Sequence, residues 1–80
     1  EPYLEKGMIF YRQKNYDEAL KEFQYASKIS YTNADSYYWT GRCYEAIGKK
    51  EEALDYYTQA VQFDRDFTEA KEAIKRLKAK

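Results

Sequence analysis

Residues of this chain recur at a separation of 34. Tyr3, Gly7, Glu18, Ala19, Leu20 and Ala26 stand 34 positions before Tyr37, Gly41, Glu52, Ala53, Leu54 and Ala60, an identical residue each time. Phe10 and Tyr44, Asp17 and Glu51, Phe23 and Tyr57, Ile29 and Phe63, and Thr32 and Asp66 keep their chemistry at the same distance. A fixed period of about 20–50 residues marks a repeat architecture, in which each unit buries its apolar face only against its neighbours.

Within each unit the small and aromatic residues follow at spacings of three and four, the helical period. Pro2 suits a first turn, and the first helix is expected from about Pro2 to Gln13. Gly7 lies in its middle, where glycine costs about 1 kcal/mol relative to alanine, so a closely approaching helix is expected there, with Ala19 as partner. Asn15 followed by Glu18 gives a capping-box pattern for a second helix, whose stripe of Tyr16, Ala19, Leu20, Phe23 and Ala26 ends near Ile29 or Ser30. Ser30 to Thr32 form the connection, with Thr32 capping a third helix and Asp35 in its first turn. That helix runs to about Ile47 and stops at Gly48. A fourth covers about Lys50 to Phe63 and buries Ala53, Leu54, Tyr57, Ala60 and Val61. Asp66 with Glu69 starts a fifth through Lys80, with a thin stripe of Phe67, Ala70, Ala73, Ile74 and Leu77 among charged residues, the form of a solubilising end helix.

Charge and residue usage exclude several functions. Fourteen basic residues balance fourteen acidic ones, leaving no overall positive field for nucleic acid, and no nucleic-acid partner is expected. Histidine is absent and Cys43 is the only cysteine, which removes a disulfide framework, the Cys/His zinc spacings and the commonest general base. Asp64, Asp66 and Glu69 lack the glycine of a calcium loop, and Lys75 stands where its bidentate glutamate belongs. No nucleophile–base pair, metal set or phosphate loop is present, so neither an enzyme nor a cofactor is expected. Cys43 takes the place of Ile9 and reads as a small buried apolar residue. Most of the ten tyrosines fall at packing positions. No apolar run approaches the about 20 residues of a membrane span, no signal peptide opens the chain, and no membrane partner is expected. A cytoplasmic protein is favoured, and a chain starting at Glu1 is expected to be a piece of a longer one. At 80 residues it makes one domain of marginal stability.

Gly7 and Gly41, Phe10 and Tyr44, Ala19 and Ala53, Phe23 and Tyr57, and Ala26 and Ala60, taken at one register, resemble the tetratricopeptide repeat family over nearly the whole chain. The family's frequent tryptophan falls on Tyr3 and Tyr37, its leucine on Lys6 and Thr40, and its inter-repeat proline on Tyr31 and Arg65. The resemblance divides the chain into repeats at 1–32 and 33–66 and a capping helix at 67–80. It implies an all-α fold of antiparallel helix-turn-helix units stacked as a short right-handed α-solenoid. The first helix of each unit would line a concave face that holds a peptide or protein segment. The implied function is a non-enzymatic protein–protein interaction module, a fragment of a larger scaffold, with a protein or peptide ligand as partner. The alternative is a self-assembly unit whose terminal helices stack on further repeats or on copies of itself, with weak self-association. Family members that clamp a terminal carboxylate use lysine, asparagine and arginine where this chain has Leu4, Met8 and Trp39, so that ligand class is not expected.

Helical spacing selects the residues that share the groove face. With Tyr37, Gly41 and Tyr44 pointing into the repeat, Asp35, Tyr38, Trp39 and Arg42 form a separate stripe. Its equivalents are Glu1, Leu4, Glu5, Met8 and Arg12 in the first helix and Glu69, Glu72, Ala73 and Arg76 in the last. Leu4, Met8, Tyr38 and Trp39 are expected to floor a peptide-binding groove with Glu5, Arg42 and Arg76 around it, and Arg12 and Asp35 on the same stripes. Trp39 is its expected anchor, because it lies about 200° around the helix from the inward-pointing Tyr37.

Overall fold

The computed structural model describes residues 3–29 and 33–79. Among them are helices α1 (Tyr3–Arg12), α2 (Tyr16–Ile29), α3 (Ala34–Ala46), α4 (Lys50–Phe63) and α5 (Thr68–Lys78), and no strand. Each helix packs on the next, and α1 also touches α3. Pro2, Ser30 to Thr32 and Lys80 lie outside the described residues.

The turn of the first helix pair repeats in the second, bond for bond. Lys14 N–H donates to Tyr11 O (3.0 Å) and Asn15 N–H to Phe10 O (2.9 Å); 34 residues on, Gly48 N–H donates to Glu45 O (3.1 Å) and Lys49 N–H to Tyr44 O (2.8 Å). Such a pair of bonds closes a helix when the residue after it is left-handed. Gly48 has φ +87° as expected, and Lys14 is forced to φ +63° in the same role. A side chain there costs about 1–2 kcal/mol, against about 0.5–1 kcal/mol of chain entropy for glycine. Lys14→Gly is therefore expected to stabilise the domain by about 0.5–1 kcal/mol, read as a higher urea midpoint at unchanged slope. A lower midpoint would contradict this.

The starts of α3 and α5 differ from expectation. The cap of α3 is Asn33, whose Oδ1 accepts from Asp35 N–H at 3.1 Å. The cap position of α5 is Phe67, without a side-chain cap bond, while Asp66 donates its N–H to Asp64 Oδ1 at 3.1 Å. The Phe67 ring lies 5.0 Å from that of Tyr38, so an aromatic contact between helices occupies the position a polar cap would fill. Asn33 and Phe67 are themselves 34 apart. The register repeats, and the capping chemistry does not.

Two cores follow the same shift. Ala19, Phe23 and Cys43 form the first, with Leu4, Phe10, Leu20 and Trp39 packed on it. Ala53, Tyr57, Ala73 and Leu77 form the second, with Tyr38, Tyr44, Leu54 and Ile74. Every member named for the first has its counterpart 34 residues later in the second, so α5 packs on α4 as α3 packs on α2. On its other side, Lys71, Lys75 and Lys78 are exposed, at the positions where α3 carries Tyr37, Gly41 and Tyr44. Leu54 and Val61, expected to be buried, are half-buried, as is Leu20, the counterpart of Leu54 on α2; both leucines pack at the margin of their core.

Polar residues enter the contact only with their hydroxyls satisfied. Ser36 Oγ donates to Asn33 O (2.8 Å) and Thr40 Oγ1 to Ser36 O (2.7 Å), which leaves their carbon sides for packing. Thr40 thus serves at a position the family often fills with leucine. Gly7 and Gly41 are both buried. A Cβ on Gly7 would meet the Phe23 ring first rather than Ala19, since that ring fills the space between α1 and α2.

Candidate functional site

The first helices of successive units reach one another through side chains. Arg42 of α3 lies over the Tyr11 ring of α1 (5.2 Å to its centroid), and also over Trp39 (5.0 Å) and Tyr38 (5.9 Å). Arg76 of α5 places Nη2 at 2.8 and 2.7 Å from the two carboxylate oxygens of Glu45 on α3. Tyr57 on α4 donates its hydroxyl to Glu45 Oε1 at 2.7 Å. All of these side chains except Trp39, together with Ala46 and Ala73, line a recess of about 500 Å³.

Charge in the recess is arranged unevenly. Burial works against the Arg42 charge, but the Tyr11 and Tyr38 side chains more than offset this and its pKa moves up. Partial burial likewise works against a charged Glu45, yet the hydrogen bonds from Arg76 and Tyr57 prevail and hold its pKa below the usual carboxylate value. Burial, reinforced by Glu45, pushes the Tyr57 hydroxyl up, so it acts as a donor. Arg76 remains 59% exposed, and such a pair adds at most about 1 kcal/mol to stability. Its role is to aim Glu45.

Tyr38, Arg42 and Arg76 of the expected groove meet in this recess. Glu5, Met8 and Arg12 line a separate hollow of about 460 Å³ on α1, with Lys6 and Ile9. Leu4 and Met8 are half-buried against the first core. Trp39 stacks on Phe23 at 5.8 Å and 25° and meets Tyr11 edge-on at 5.6 Å, so its ring fills the joint between the units. Asp35 is exposed at the start of α3. Helical spacing on α3 missed Glu45, although Tyr38, Arg42 and Glu45 stand at i, i+4 and i+7. Leu4, Met8 and Tyr11 stand likewise, so one more step along each stripe finds both. Tyr57 enters from α4 and carries no signal on the α3 stripe.

Cys43 is fully buried, and burial pushes its thiol up to about 12. Among the described residues no group of acidic or cysteine side chains is arranged to hold a metal ion. No described helix is long and apolar enough to cross a membrane.

Stacked helix pairs with a shared register and first helices joined along one side define an all-α helical-repeat protein. The sequence profile of the tetratricopeptide repeat matches residues 4–66. The chain belongs to the tetratricopeptide repeat family. It is similar to tetratricopeptide repeat protein 1 of Schizosaccharomyces pombe, with 35% identity over 57 residues, covering 68% of this chain. The matched stretch spans 6% of that relative's length. Repeats of this family are in general protein–protein interaction modules, typically scaffolds without enzymatic activity, and bind proteins or peptides.

Proposed function

We propose that this chain is a non-enzymatic interaction module that holds a peptide or protein segment across α1, α3 and α5. The observation that carries this reading is the recess of about 500 Å³ between three successive first helices. Aromatic rings and two guanidinium groups wall it, the composition of a binding hot spot. Leu4, Met8 and Trp39 would extend the contact as apolar floor, with Glu5, Arg12 and Asp35 at its margins. A high thiol pKa and the absence of histidine support a binding rather than a catalytic role.

A peptide selected by display against the chain and titrated into the labelled protein tests the reading. Resonances of Tyr11, Tyr38, Arg42 and Trp39 are expected to shift together; shifts confined to α2 and α4 would overturn it. Trp39→Ala is expected to weaken that peptide by about 2 kcal/mol. Its stacking on Phe23 means the melting temperature also falls, so affinity is compared where both proteins are fully folded. A fully folded variant that binds as tightly as the parent would remove Trp39 from the groove.

One observation favours self-association as a second reading. Ile9 is 51% exposed, whereas Cys43, its counterpart 34 residues on, is fully buried by the preceding unit. Light scattering that reports a mass rising with concentration would support it.

A further inference from the structure

The two joints of the stack hold the same arginine with different chemistry. Arg42 and Arg76 are 34 residues apart, and so are Tyr11 and Glu45. At the second joint Arg76 meets the Glu45 carboxylate through Nη2 at 2.7 and 2.8 Å. At the first, the side chain beneath Arg42 is the Tyr11 ring. Aromatic faces orient a guanidinium without neutralising it. Arg42 donates to the Tyr38 hydroxyl at 3.5 Å and also interacts with the Tyr11 side chain, and among the described residues no carboxylate lies within ion-pair distance of it. The recess therefore carries two guanidinium groups against one carboxylate, and that carboxylate is already bonded to Arg76 and Tyr57. Arg42 is left without an ion pair of its own, attracted to Glu45 only at longer range, half-buried and held between three rings.

We propose that Arg42 receives the side-chain carboxylate of an Asp or Glu from a segment docked in the recess. That carboxylate would complete at the first joint the ion pair that Glu45 makes internally at the second. The inference rests on the groove reading above. The internal counterpart is a glutamate, which selects a carboxylate over other anions. Glu45 nearby disfavours the charge of about −1.5 to −2 carried by a phosphate.

Peptide pools with acetylated and amidated ends provide the test. Each peptide is nine residues long and built from uncharged types except for a central Glu, Gln or phosphoserine, and the pools are passed over the immobilised chain. The Glu pool is expected to be retained about tenfold over the Gln pool, the worth of one charged hydrogen bond, with the difference shrinking as salt rises. Arg42→Gln should abolish the preference. Because this change also empties the ring cage, Tyr11→Glu serves as a second variant. It supplies beneath Arg42 the carboxylate that Glu45 supplies beneath Arg76, and should keep the helical circular dichroism while bringing the ratio of Glu-pool to Gln-pool retention to about one. Equal retention of the Glu and Gln pools by the parent overturns the proposal and leaves the groove standing. Retention of no pool overturns both. Preferential retention of the phosphoserine pool overturns the carboxylate in favour of a phosphorylated segment.

Discussion

Deletion of residues 71–80 is expected to unfold α4 along with what remains of α5. Ala73 and Leu77 share a core with Ala53 and Tyr57, and Ile74 packs beside them. Tyr57 is 1% exposed, and the deletion uncovers its ring while removing Arg76 from Glu45. Losing one large aliphatic core side chain costs about 2–5 kcal/mol. A domain of this length holds only about 4–12 kcal/mol in all, at the general range of 0.05–0.15 kcal/mol per residue. Loss of Ile74 and Leu77 together with Ala73 thus approaches the whole stability. Far-UV circular dichroism of the truncated chain should fall by more than the removed residues contribute. A truncated chain that melts with the parent would make α5 an appendage.

Gly41→Leu is expected to lose at least about 1–3 kcal/mol, the usual cost of forcing bulk into a packed contact. A Cβ alone at Gly41 would lie 2.9 Å from the Tyr57 ring and 3.2 Å from the Ala53 carbonyl oxygen. Neither neighbour yields easily. The Tyr57 hydroxyl is tied to Glu45 at 2.7 Å, and the Ala53 oxygen is backbone, so relief requires moving α4. Gly7 meets the same obstacle in the Phe23 ring, which is fully buried, and Gly7→Leu should match or exceed the loss. At about 4–8 °C per kcal/mol for a domain this small, both variants are readily resolved by thermal melts. A Gly41→Leu protein that melts with the parent would mean that α3 and α4 do not approach as closely as their geometry indicates.

The parts legible in the sequence are those that one helix encodes by itself. The bounds of α4 and the left-handed stop at Gly48 follow from helical spacing and helix-end chemistry, whereas Cys43 is buried by Ala19 and Phe23 of α2 although Ile9, 34 residues earlier, is exposed. What spacing could not reveal depends on pairs far apart in the chain. Phe67 displaced the expected polar start of α5 because Tyr38 offers it a ring, a contact across 29 positions, from 38 to 67. Tyr11 beneath Arg42 and Glu45 beneath Arg76 each join residues 31 apart, 11 with 42 and 45 with 76. The groove stripe was therefore readable as a stripe, with Tyr38, Arg42 and Arg76 on it. The division of its charge between a paired and an unpaired arginine became visible only when the helices were side by side.

The lysines at 71, 75 and 78 also bear on symmetry. An open filament of identical copies needs two different surfaces that fit each other, whereas a closed pair uses one surface twice. A helix approaching α5 as α4 approaches α3 would have to strip water from Lys71, Lys75 and Lys78, at several kcal/mol for each ion by the general range of about 3–5 for an unpaired buried charge. The flank of α1 at the half-exposed Ile9 mixes the apolar Met8 and Ile9 with both signs of charge, Glu5 beside Lys6 and Arg12. The exposed lysines of α5 thus weigh against the head-to-tail contact that an open filament of copies would need.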